Sequence, residues 1–177
     1  MTITVITVSA SIVLIWLILI YNKLIRDKNR VLTAWSDIDV QLKRRHDLIP
    51  KLVEAVRQYA EYESVTIEAV TELRKASELS DDVTEISQYE RALGEKVSSI
   101  YALAENYPDL KASNSYLNLQ NNLTDVENNI QYARRYYNGS VNNLNVRIDS
   151  FPDMIVARWF RFSRAAFFDF DEPGQND

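Results

Sequence analysis

The sequence predicts an all-α protein: a single N-terminal transmembrane helix followed by an antiparallel, up-down-up-down four-helix bundle with long helices. Three observations lead there. Residues 1–22 carry no charged side chain and contain the unbroken apolar run from Ile12 to Ile20. Beyond them, apolar residues recur every three or four positions, the period of one helix face. Three glycines and four prolines in 177 residues are too few for the tight turns of an all-β fold.

The anchor comes first. At about 1.5 Å per residue, Ile3 to Asn22 spans about 30 Å as a helix, the thickness of a bilayer's hydrocarbon core. A lone segment in lipid must satisfy its own backbone, which a helix does. Residues 1–22 are therefore the anchor, with Ile3, Ile12, Trp16 and Ile20 along the span. Thr2, Thr4, Thr7, Ser9 and Ser11 lower its hydrophobicity but can bond back to helix carbonyls. A cleaved signal peptide needs a basic start and a small-residue cleavage site. Only the α-amino group is positive before the run, and Tyr21-Asn22-Lys23-Leu24-Ile25-Arg26 follows it. Lys23, Arg26, Lys28 and Arg30 all lie on the C-terminal side, so the N-terminus is expected outside and the bulk domain in the cytoplasm, at the cell membrane.

Composition narrows the rest. A net charge of −5 argues against nucleic acid as a partner, since binding it needs a basic face. The sequence has no cysteine, hence no disulfide, thiolate nucleophile or cysteine-based zinc site.

The bundle is read over residues 23–151. Its first helix carries Val31, Ala34/Trp35, Ile38 and Leu42. Lys43, Arg44 and Arg45 suit the negative end of a helix, Asp47 can cap the next, and Pro50 is tolerated in a first turn but not in an interior. A break is expected near His46–Ile49, as a hairpin or a kink; the hairpin is preferred because an unbroken rod would leave a long apolar stripe wet. The second helix runs Leu52/Val53, Val56, Tyr59/Ala60, Val65/Ile67, Val70 and Leu73, ending near Ser77–Asp81. Asp82-Val83-Thr84-Glu85 has capping-box spacing and starts the third, along Ile86, Tyr89, Leu93, Val97/Ile100, Leu103/Ala104 and Tyr107. Gly94 within it implies a close contact, because glycine costs a helix about 1 kcal/mol against alanine. Asn106-Tyr107-Pro108-Asp109 is a stop and restart.

The fourth helix follows a heptad seam: Tyr116, Leu119, Leu123, Val126, Ile130, Ala133, Tyr137, Val141, Leu144, Ile148 and Phe151. Its many asparagines mean that packing, not propensity, holds it, and Asn138-Gly139 reads as a weak point or kink. Pro152 ends it. Residues 152–170 are aromatic and basic, and either lie in the membrane interface or pack back on the bundle. Residues 171–177 read as a disordered tail.

With these residues in view, the chain resembles the LemA family. The resemblance rests on Tyr21-Asn22-Lys23-Leu24, the run Ala34 to Arg45, Asp47-Leu48-Ile49-Pro50, and Tyr107-Pro108-Asp109-Leu110-Lys111-Ala112. Leu119-Gln120, Glu127-Asn128-Asn129-Ile130, Ala133-Arg134-Arg135-Tyr136-Tyr137-Asn138 and Phe151-Pro152 also fit. The resemblance implies a helical bundle behind one N-terminal span with a short extracellular N-terminus. It implies no established enzymatic activity, so it carries over no catalytic residue.

The search for chemistry gives little. His46 is the only histidine, so zinc motifs and Glu-x-x-His di-iron motifs are absent, and a solvated or capping role is expected for it. Gly94, Gly139 and Gly174 are too scattered for a phosphate loop. No catalytic, metal or cofactor residue is therefore assigned. Candidate surfaces for a protein partner or lipid are Asp37, Asp39, Lys43, Arg44 and Arg45, and then Arg158, Trp159, Arg161 and Arg164; Arg134-Arg135 read as a solvated face. Trp35 and the Tyr59/Tyr62 region read as core. The expected function is a non-catalytic membrane-anchored scaffold or adaptor, with an unidentified protein partner or a second copy of itself. The alternative is a membrane organiser whose C-terminal segment binds lipid, and an enzyme is the remote third.

Overall fold

The computed structural model describes residues 2–59 and 64–168. Among them the chain is helical without a strand: α1 Thr2–Arg57, α2 Ser64–Leu79, α3 Val83–Ala104, α4 Pro108–Lys111, α5 Asn114–Asp149 and α6 Asp153–Trp159. The expected all-α architecture is what the chain adopts. Two compact units form, one from Met1–Ser36 with Arg135–Ala166 and one from Asp37–Arg134 with Phe167–Asp177. Ala60, Tyr62 and the expected tail 171–177 lie outside the described residues.

In the first unit, α1 opens with a bare apolar stretch. Ile3, Ile6, Val13, Leu14, Ile18 and Leu19 are all at least half exposed, and burial begins at Ile20. The helix is long and apolar enough to cross a membrane. Three of its hydroxyls are satisfied along the helix itself. Thr7 Oγ1 donates to the Thr4 carbonyl at 3.0 Å, Ser9 Oγ to Val5 at 2.9 Å and Ser11 Oγ to Thr7 at 2.9 Å. From Ile20 onward one face is buried: Leu24, Asp27, Val31 and Ala34 on α1, with Tyr137, Val141, Leu144 and Ile148 on α5. The rings of Trp35 and Tyr137 meet at 5.5 Å, which is core packing. Two α5 side chains also tie down the segment after α6. Asn145 exchanges a pair of hydrogen bonds with the backbone of Ala165, at 3.0 and 2.9 Å. The Tyr137 hydroxyl donates to the Ala166 carbonyl at 2.8 Å. The asparagine that weakens helix propensity thus recovers its cost as a clamp.

In the second unit, Ile49, Leu52, Val56, Ile67, Val70, Leu93, Val97, Ile100, Leu110 and Leu123 form one buried cluster. α3 begins where its capping signal places it: the Asp82 side chain accepts from the backbone N–H of Thr84 at 2.8 Å and Glu85 at 3.0 Å. Pro108 opens α4 at its first position, where its missing N–H costs nothing.

Three expectations are corrected. The chain does not turn back at His46–Ile49: α1 passes through Pro50 and ends at Arg57. The reason is its seam. Buried Ile38, Leu42, Arg45, Ile49, Leu52 and Val56 follow one another at steps of four and three, so packing holds the helix across a proline that local propensity would use as a stop. Asn138-Gly139, read as a weak point or kink, lies within α5, and the Gly139 position meets no neighbouring side chain. Arg134 is buried instead of solvated, because it stands between Ile130 and Tyr137 on the seam where Ala133 was expected; Arg135 is exposed. Phe151 is 79% exposed, since α5 ends at Asp149 before the seam reaches it.

Candidate functional site

The second unit concentrates ionisable groups at one buried point. Steps of four and three along α3 place Ile86, Glu90, Leu93, Val97, Ile100 and Ala104 on its inner face, all buried. Glu90 therefore occupies a core position, fully enclosed. Arg45 holds the equivalent place on α1, and His46 beside it is also buried. Arg45 was expected on a surface and His46 in solvent; both are corrected, because the α1 seam turns them inward toward a carboxylate.

Three donors converge on that carboxylate. Arg45 Nη1 donates to Glu90 Oε2 at 3.0 Å. His46 Nε2 and Ser77 Oγ from α2 each stand 2.6 Å from Glu90 Oε1. Arg45 Nη2 reaches Glu127 on α5 at 3.3 Å. On the other side of the ring, His46 Nδ1 faces Glu78 at 3.7 Å, too long for a hydrogen bond, and Arg74 donates to the same Glu78 oxygen at 2.6 Å. Burial acts to raise the Glu90 carboxyl. The His46 hydrogen bond, the charges of Arg45 and His46, and the Ser77 hydroxyl outweigh it and hold the group below its ordinary 4.5. An ionised carboxylate only accepts, so His46 Nε2 carries the proton in that contact.

Gly94 is explained by the same cluster. It lies one turn beyond Glu90, and a Cβ there would come within 3.1 Å of Arg45 Nη2. Gly94→Ala will therefore fail to gain the roughly 1 kcal/mol that alanine normally adds to a helix. The gain is offset by displacing a guanidinium held between Glu90 and Glu127. Urea unfolding should show a net change within about 0.5 kcal/mol of zero; recovery of the full gain would mean that Arg45 is free to shift.

Ser77 gives its hydrogen bond to Glu90, and His46 donates to the same carboxylate oxygen, so two donors share one acceptor. Beside the cluster lies a cavity of about 300 Å³ lined by Arg45, Gly94, Tyr101, Leu123, Thr124 and Glu127. Burial, with the neighbouring Tyr116, pushes the Tyr101 hydroxyl up to about 12, so it keeps its proton. Among the described residues no group of three or more His, Asp or Glu is placed to hold a metal ion.

The remaining candidate residues separate by unit. Asp37 and Arg44 are exposed, and Lys43 pairs with Asp39 at 2.7 Å along α1. In the first unit Arg158, Trp159 and Arg161 are exposed, as is Arg164, which stands 3.7 Å from Asp149. There α6 turns inward with Val156 and Ala157, and the ring of Phe160 meets that of Tyr21 at 4.8 Å, with Phe162 at 6.0 Å. The C-terminal segment therefore packs back through one face and leaves another open. A second, half-buried ion pair holds its base: Arg147 Nε donates to buried Asp27 at 2.5 Å and its Nη1 to Asp153 at 3.0 Å. Glu90, Ser77, Glu78, Glu127 and Asp27 were not singled out from the sequence. The available signal was register: Asp27, Arg45 and Glu90 each interrupt a run of apolar residues at seam spacing.

Comparison with known proteins gives a consistent result. A family model described as the LemA family matches residues 34–177. The chain is also similar to Protein LemA of Metamycoplasma hominis, 29% identical over 152 residues that cover 85% of this chain and 69% of the relative.

Proposed function

Since the chain belongs to the LemA family, we propose that it is a non-catalytic, single-span membrane protein whose helical domain presents its outer faces to a protein partner or to a second copy. One observation carries this reading. α1 is a single helix in which a bare apolar stretch passes without interruption into the buried seam of the domain. The segment read as the membrane span and the packed helix that follows it are thus one continuous element. Buried ionisable groups of the domain are engaged within it: Glu90 with Arg45, His46 and the Ser77 hydroxyl, and Asp27 with Arg147. That leaves the helix exteriors as the recognition surface. Val40 at 57% exposed and Leu79 at 85% are apolar positions on such exteriors.

Lys23, Arg26, Lys28 and Arg30 are all exposed just past the apolar stretch, which favours an external N-terminus and a cytoplasmic domain. A photo-crosslinker at Val40 or Leu79 of the full-length protein, activated in intact membranes, should give discrete adducts at native abundance. Uniformly monomeric protein at both positions would sink the scaffold reading. A C-terminal reporter that is active only after export would reverse the orientation.

A further inference from the structure

The first unit holds α6 at a defined level along α1. Arg147 links Asp27 of α1 to Asp153 at the start of α6. Seven residues later Phe160 touches Tyr21. Between Asp27 and Tyr21 the α1 axis advances about 9 Å toward the apolar stretch. α6 thus carries the chain down to the point where the bare helix begins, Ile20 being its first buried residue. At that level its outer side is apolar and cationic. Ile155 is 49% exposed, Trp159 73% and Phe160 55%, and the rings of Trp159 and Phe160 stack at 6.3 Å. The facing charges are few. Asp149 lies near Arg164, and Asp153 and Asp27 are occupied by Arg147. Among the described residues Arg158 and Arg161 have no carboxylate partner.

The way α6 ends gives an independent observation. Phe162 N–H donates to the Ala157 carbonyl at 2.9 Å and Arg161 N–H to Arg158 at 3.2 Å, the paired bonds of a Schellman cap. The residue such a cap turns into the left-handed region is Arg161, at φ 56°. Glycine adopts that backbone without strain and an arginine does not. A cation is kept at a position where local stability favours glycine, and its side chain is exposed beside Trp159 and Phe160.

We propose that α6 is a second membrane contact: Ile155, Trp159 and Phe160 seat in the lipid–water interface beside the span, and Arg158 and Arg161 bind the phosphates of anionic lipid. This rests on reading the start of α1 as a span, since the Tyr21 contact is what places α6 at the interface. Tryptophan and other aromatic rings favour that depth, and guanidinium pairs with phosphate there.

The chain has no cysteine, so single-cysteine spin labels can be placed in the full-length protein. In nanodiscs containing phosphatidylglycerol, labels at Leu14→Cys and Ile155→Cys should both respond more to oxygen than to a water-soluble nickel chelate. A lipid-protected Leu14 label with a nickel-exposed Ile155 label overturns the α6 contact and leaves the span standing. Nickel exposure at both overturns the span, and the α6 contact with it. Adding Arg161→Gly to the Ile155→Cys protein should leave the thermal midpoint equal or higher, while the docked-to-undocked ratio falls about fivefold, the worth of one cation at an anionic surface. A label indifferent to that substitution removes Arg161 from the lipid site; a lowered midpoint would make it a structural residue instead.

Discussion

Glu90→Gln will destabilise the helical domain by roughly 3–5 kcal/mol, the usual cost of breaking a buried ion pair from one side. The amide keeps the shape of the carboxylate but not its charge, so Arg45 is left buried with only the partly exposed Glu127 at 3.3 Å. One end of the amide must also present N–H groups to donors, either Arg45 or the His46–Ser77 pair. Replacing Arg45 and Glu90 together by apolar residues should recover part of the loss, because no unpaired charge then remains. The pH dependence separates charge from packing. The folded Glu90 carboxyl lies below 4.5. Its contribution is therefore complete above the unfolded-state value and is lost as pH falls through the folded one. Parent and Glu90→Gln proteins should differ most near neutrality and converge under acid. A urea midpoint that barely moves at pH 7 would show that the cluster contributes no net stability.

Deleting residues 2–18 will release the protein from membranes without unfolding it. The full-length chain should stay in the pellet after alkaline carbonate, which strips peripheral contacts including that of α6, and the shortened chain should appear in the supernatant. Its unfolding free energy should match the parent's within about 0.5 kcal/mol, since none of the removed side chains is buried and all but Leu17 are exposed. The position of the cut matters. A deletion of residues 2–24 also removes Ile20 and Leu24, 4% and 0% exposed. Each such loss typically costs about 2–5 kcal/mol, so the longer deletion should be markedly less stable. A shortened chain that remains with carbonate-washed membranes would contradict the reading of this segment as the anchor.

The two polar pairs give the seams a meaning beyond stability. Asp27 meets Arg147 and Arg45 meets Glu90, and Asp27, Arg45 and Glu90 each stand where an apolar residue would fit the pattern. An ionic pair in a seam is satisfied in one register only, whereas leucine and isoleucine tolerate neighbouring alignments. The pairs therefore select an alignment of α1 against α5 in the first unit and against α3 in the second.

Much of this was legible in the sequence. The bare stretch before Ile20, the Asp82 cap of α3, the stop at Tyr107-Pro108 and the seam of α5 are local facts: composition, a capping pattern and a period, each contained within a few turns. The tertiary structure alone decided where the first helix ends and what Arg45, His46 and Arg134 do. Read locally, Lys43 to Pro50 is a helix end, because cations and a proline favour one. In the fold it is mid-helix, because Glu90 and Ser77 lie opposite and the Ile49–Val56 face of the same helix is buried, which outweighs the proline. No local window contains both sides of a contact between residues 45 positions apart, so a buried charge and a solvated one look alike until the partner is in place.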